Sequence, residues 1–298
     1  MILSSVLNFL RGKKSCGCNS KPKAVSGPSK KALLVGINKY RPELDANLRG
    51  CVNDIENIRH LLITYFGFNP DNIRVIIDER ATQASILDRL HWLIDEAVSG
   101  DELVFHFSGH GSQVRDRHND ELSDGLDEIL CPHDLDWDNP ITDDLLADIV
   151  AKVPSGAHFT MIADCCHSGT ISRAIGADAA YSVKPRFILP PFDIRCRSLG
   201  RDLEKKPIGR EIKCDDTLQH VLLSACRDDQ TAGDANINGK FQGVLTWALT
   251  EAITENPQRT WRELHDVVTA KVNGRPQNPQ LEGAPILIER LIFGGIVK

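Results

Sequence analysis

The chain has 298 residues, 41% of them hydrophobic and 26% charged, with a formal net charge of −6. That is enough apolar material for one large domain or two small ones whose core needs no staples. The mildly acidic balance excludes a general nucleic-acid binder, which needs a basic surface, and nine scattered cysteines exclude a dense secreted disulfide framework.

The first ten residues are apolar but lack a basic leading region and are too short to span a bilayer. The expectation is a cytoplasmic protein with no membrane partner. Residues 11–30, rich in Gly, Ser, Pro and Lys, read as the rest of a flexible leader over 1–30. Cys16 and Cys18 lie in it, without the second ligand pair that a zinc module needs.

Order begins at Lys31. Residues 32–37 form a short continuous apolar run followed by a turn, the mark of a strand buried on both faces. Ile55, Ile58, Leu61, Leu62 and Tyr65 then recur at helical intervals. A second strand is predicted over 73–77, a helix capped by Thr82 up to Ala97, and a third strand over 102–107. An acidic stretch follows, then a helix from Thr142 to Val153 and a fourth strand over 158–163. Residues 177–217 break this rhythm with four prolines, and nine Lys or Arg fall between Lys184 and Lys213, so the segment reads as an exposed linker. A fifth strand is predicted at 220–225, helices near 241–255 and 260–273, and a sixth strand at 284–291.

Strands alternating with helices imply an α/β sandwich, a mostly parallel six-stranded sheet with helices on both faces. The organisation is then a large part over 31–176, the linker over 177–217, and a smaller part over 218–298 that completes the same sheet.

Two loops each follow a buried strand: Phe107-Ser-Gly-His-Gly-Ser112 and Ala163-Asp-Cys-Cys-His-Ser-Gly169. In an open parallel sheet both end at the rim where ligands bind. A cysteine peptidase needs a thiolate, a base that later protonates the leaving amine, and backbone N–H groups aimed at the developing oxyanion. His110, flanked by glycines, is the candidate base. The N–H groups of Gly111 and Cys166 are the candidate oxyanion donors. His167 is a poorer base, because residues adjacent in extended chain point opposite ways.

These residues carry a resemblance. KALLVGIN at 31–38, GCVND at 50–54, FHFSGHGSQ at 105–113, DGLDEILCPHD at 124–134, ITDD at 141–144, DCCHSG at 164–169 and SACRDDQTAGDA at 224–235 occur in order. Over about residues 31–292 the sequence resembles the metacaspases, of the caspase–haemoglobinase fold. The resemblance implies a caspase-like three-layer sandwich and a self-processing cysteine endopeptidase that cuts after Arg or Lys. It assigns the nucleophile to Cys166, the second of the two cysteines, and the base to His110. It further implies an S1 pocket at Asp54, Ser108 and Asp164. Two carboxylates at a strand rim suit a guanidinium or ammonium and oppose an aspartate. The partners implied are protein or peptide substrates with a basic P1 residue; a monomer is favoured. The rival readings are a protease of the same fold that cuts after Asp or Asn, and a weakly active scaffold using the same cleft.

Many members of the family bind calcium through four aspartates. Asp127, Asp143 and Asp144 match three of them, and Arg173 stands at the fourth. A fixed guanidinium there opposes the ion, so no cofactor is expected to be required.

Overall fold

The computed structural model describes residues 28–115, 126–166, 183–196, 212–216, 218–227, 230–275 and 277–296. Cys16, Cys18, His167, Ser168, Gly169 and Arg173 lie outside the described residues.

The strands, in chain order, are β1 Lys30–Gly36, β2 Ile73–Ile77, β3 Glu102–Ser108, β4 Gly111–Arg115, β5 Leu126–Leu130, β6 Ile141–Thr142, β7 His158–Asp164, β8 Lys184–Pro185, β9 Ile212–Cys214, β10 His220–Ser224, β11 Gly233–Ile237, β12 Lys240–Gly243 and β13 Gln280–Gly283. The main sheet has the order β2-β1-β3-β7-β10-β13-β9. Its pairs are parallel except that β10 and β13 run antiparallel.

The period-2 pattern of the strands decides what covers each face. On β1, Ala32 and Leu34 face a cluster that includes Ile55, Ile58, Leu61 and Leu62 of helix α1, Cys51–Thr64. Leu33 and Val35 face the opposite cluster, with Ile86, Leu90 and Leu93 of α2, Gln83–Ile94, and Leu146 and Ile149 of α3, Asp143–Val150. The helices Val244–Glu255 and Trp261–Val272 join α1 on the first face. The result is the expected three-layer α/β sandwich. Thr82 and Thr142 cap α2 and α3 as the sequence suggests, each accepting a backbone N–H at 3.2 Å.

Three segments depart from the sequence reading. The strand expected over 284–291 lies earlier, at β13, and Pro285 instead opens the helical turn Pro285–Ile288. Proline lacks the N–H that a ladder needs but fits the first turn of a helix. The edge strand β9 adds a seventh member to the six expected strands. The segment read as an exposed linker is drawn inward in its described part. β8 pairs with β11, and Arg186 is fully buried. Counting charges along the chain says nothing about whether buried partners await them.

Candidate active site

The parallel register sets the floor of the site. Ser108 and Asp164 are directly paired at the carboxyl ends of β3 and β7. Both fall on the face covered by α1, whose first turn brings Asp54 above them. Ser108 Oγ donates to Asp54 Oδ2 at 2.7 Å, and the Gly243 N–H donates to the same carboxylate at 3.0 and 3.1 Å. Thr246 donates to Asp164 Oδ2 through its N–H at 2.9 Å and its hydroxyl at 2.7 Å. Asp234, at the start of β11, adds a third carboxylate. It accepts the N–H groups of Arg49 at 2.8 Å and Gly50 at 2.9 Å.

Arg186 fills the space between these acids. Its guanidinium lies 2.7 Å from Asp54, 3.1 Å from Asp164 and 3.1 Å from Asp234. It also donates to Ser108 Oγ at 2.8 Å and to the Asp164 carbonyl at 3.0 Å. Burial alone would lower the Arg186 pKa; the surrounding carboxylates outweigh it and hold the group charged. Burial pushes the Asp54 pKa up to about 7 even though Arg186 pulls it down. A cation is therefore what this pocket accommodates, and an aspartate side chain would meet three carboxylates at contact distance. The pocket is tight: a Cβ on Gly243 would stand 2.1 Å from Asp164 Oδ2 and 2.5 Å from Arg186 Nη1.

The backbone of Arg186 is held as specifically as its side chain. Its carbonyl accepts two N–H groups, from Gly111 at 3.1 Å and from Cys166 at 3.1 Å. These are the two donors that the sequence suggested for an oxyanion. The Cys166 thiol is fully buried at the same place, where it accepts the N–H of Ala232 and lies 3.8 Å from Cys226 Sγ. Cys165 joins the apolar cluster on the opposite face of the sheet, as alternation requires. Cys51, Cys165 and Cys226 are buried thiols, and burial contributes to raising the pKa of each.

His110 is buried beside Tyr40, with ring centroids 4.9 Å apart, and its backbone N–H donates to the Tyr40 hydroxyl at 2.7 Å. Its Nε2 lies 2.6 Å from the Ala46 carbonyl. A carbonyl only accepts, so Nε2 carries the proton and Nδ1 is left with its lone pair. Nδ1 is buried with no hydrogen-bond partner among the described residues. Burial lowers the His110 pKa to about 3, with Lys184 and Arg186 adding to the shift, so the ring is neutral.

The domain model described as metacaspase, peptidase C14 domain, matches residues 30–174. Metacaspase-1B of Neurospora crassa is 30% identical over 88% of this chain and 68% of its own length, and metacaspase-1 of Candida glabrata is 32% identical over 86% and 72%. The chain belongs to the metacaspase family. It is accordingly a cysteine-type endopeptidase with a caspase-like fold. A crystal structure of a Geobacter sulfurreducens protein, 22% identical, superposes over 91% of this metacaspase and all of that chain with a TM-score of 0.67, a likeness of fold.

Sequence reasoning missed Asp234, although it lies in the quoted segment 224–235. It also missed Tyr40 and Thr246, which orient the site through one or two hydrogen bonds each and carry no motif. Arg186 was counted only as one basic residue of a linker. The proposed calcium ligands are less well assembled. Asp127 lies on β5, Asp143 and Asp144 at the start of α3, and burial with the neighbouring acids Glu128, Asp127 and Asp144 raises the Asp143 pKa to about 6. Among the described residues no group of three or more His, Cys, Asp or Glu side chains is placed to hold a metal ion. Among the described residues no helix is long and apolar enough to cross a membrane.

Proposed function

We propose that this metacaspase hydrolyses peptide bonds after arginine or lysine, with Cys166 as nucleophile and His110 as general base, and that its own Arg186–Phe187 bond is a substrate. One observation carries the reading. Arg186 has its guanidinium among three carboxylates while its carbonyl is clamped by the N–H groups of Gly111 and Cys166. That is the posture of a P1 residue about to be attacked.

On this reading the chemistry runs through the same residues. His110 Nδ1 takes the thiol proton, and the Cys166 thiolate attacks the Arg186 carbonyl carbon. The carbonyl oxygen becomes an oxyanion between the two N–H groups that already hold it. Collapse breaks the bond to the Phe187 nitrogen, which receives the proton from His110 and leaves as an amine. Water, deprotonated by the same imidazole, then hydrolyses the Arg186 thioester and regenerates the thiol.

The same reading makes the reaction independent of calcium, on the ground that Arg173 occupies the fourth ligand position. The test is intact-mass analysis of the purified protein over time, with internally quenched peptides carrying Arg, Lys, Asp or Asn at P1, in chelator and in calcium. The reading expects fragments that end at Arg186 and begin at Phe187, and cleavage of the Arg and Lys peptides alone in either medium. A protein that stays intact and prefers Asp or Asn peptides refutes it.

A further inference from the structure

We propose that this peptidase selects substrates beyond P1 on the leaving-group side, taking an apolar residue two positions after the cut bond, while the residues before P1 are held mainly through their backbone. The inference rests on the reading of Arg186 as P1.

Residues 183–190 run through the cleft as strand β8, a bend at Arg186 and a bridge from Phe187 to Gly111, and their burial is lopsided. Before the bond, Val183 is 38% exposed, Lys184 is exposed and Pro185 is half-buried. After it, burial alternates: Phe187 is half-buried, Ile188 is 7% exposed, Leu189 is 43% exposed and Pro190 is buried again. An extended chain sends alternate side chains to opposite sides. Arg186, Ile188 and Pro190 are the buried residues of the segment; Ile188 joins the apolar cluster beneath the cleft, and Phe187 packs in part against the cluster on the other face.

The hydrogen bonds differ in the same sense. Upstream, the strand is held by its backbone, β8 pairing with β11 and the Arg186 N–H donating to the Ala232 carbonyl at 3.0 Å. Such pairing accepts nearly any side chain. Of the upstream side chains, Lys184 Nζ donates to the Asn47 carbonyl at 2.7 Å in an exposed contact, and Val183 lies against Gly233. Downstream, the Ile188 N–H donates to the Gly111 carbonyl at 3.1 Å, and the buried Ser112 hydroxyl donates to the Ile188 carbonyl at 2.6 Å.

Gly111 ties the two halves together. Its N–H holds the Arg186 carbonyl and its C=O holds the Ile188 N–H. A substrate with its P1 carbonyl in reactive register therefore places its P2′ residue where Ile188 lies. That position is dry and apolar, so a branched aliphatic side chain is favoured and a charge excluded. Dye-linked peptides that end at P1 lack this half of the recognition.

The experiment has a cis arm and a trans arm. In cis, the time course of Arg186–Phe187 cleavage is followed by intact mass for wild type, Ile188→Asp, Leu189→Asp and Lys184→Glu. In trans, internally quenched peptides based on Val-Lys-Pro-Arg-Phe-Ile-Leu-Pro are compared by kcat/KM, with Asp replacing Ile at P2′, Glu replacing Lys at P3, or Ala replacing Arg at P1. The expected result is a loss of tenfold or more for Asp at P2′ in both arms, and changes within about twofold at the exposed positions, as for surface sites. The trans arm keeps its force if Ile188→Asp fails to fold. Equal rates for the Ile and Asp peptides, with the Ala-P1 peptide uncut, overturn this inference and leave the basic-P1 reading intact. If the Ala-P1 peptide is cut as fast as its parent, or nothing is cut in either arm, that reading falls and this inference with it.

Discussion

Replacing Arg186 by methionine keeps an unbranched side chain of similar length and removes the cation from the pocket. In the native chain that cation touches three carboxylates at 2.7, 3.1 and 3.1 Å, with no solvent exposure at the guanidinium. Removing one partner from a buried ion pair costs about 3–5 kcal/mol. The lower end applies here, because the strand can lift and let water reach the acids, and because Asp54, its pKa already about 7, can take up a proton. About 3 kcal/mol corresponds to roughly a hundredfold shift from plugged to open cleft. The variant can no longer cut itself at position 186 yet presents an empty pocket. Its initial rate on an internally quenched Arg peptide should exceed that of uncut wild-type protein by roughly two orders of magnitude. Wild type should start slowly and accelerate as its own bond is cut. The assay pairs fluorescence with intact mass at each time point, and circular dichroism verifies that the variant is folded. Equal initial rates for the variant and uncut wild type would show that Arg186 does not occlude the cleft.

Three further outcomes are expected. Cys166→Ala should abolish both self-cleavage and peptide hydrolysis while Cys165→Ala retains activity, since the two side chains lie on opposite faces of the sheet; a dead Cys165→Ala with an active Cys166→Ala reverses the assignment. For Arg peptides kcat/KM should fall as pH drops through about 7, because burial raises the Asp54 pKa and the protonated acid cannot pair with a guanidinium. Asp54→Asn should lack this limb in a pH–rate profile. Gly243→Ala should weaken cleavage after Arg at least tenfold, because its Cβ would stand 2.1 Å from Asp164 Oδ2 and 2.5 Å from the P1 guanidinium; undiminished kcat/KM would contradict the placement of that wall.

Much of the site was legible because it is built from loops that follow strands. His110 and Gly111 follow β3, Cys166 follows β7, and the parallel register brings the two ends together. Ser108 and Asp164 could be read as neighbours for the same reason. Asp234 could not, because it arrives from a separate small sheet whose approach to α1 depends on the packing of β12 against that helix.

By itself, the sequence determined the three-layer sandwich, since the 2.0 and 3.6 periodicities record which faces are buried, and it marked the two loops that hold the candidate nucleophile and base, since their chemistry is written in adjacent residues. It also carried the capping threonines, whose hydrogen bonds are local. Only the tertiary structure decided the fate of Arg186. Composition made residues 184–213 look like solvated linker, because nine positive charges in one stretch ordinarily stay in water. Burying one of them is favourable only where several carboxylates converge, and here they come from α1, β7 and β11, segments far apart in the chain. The same holds for the strand position of Gln280–Gly283 and for the burial of Ile188, both fixed by partners distant in sequence. Local pattern reports what a segment prefers, and the long-range pairing of charges and backbone groups decides where it goes.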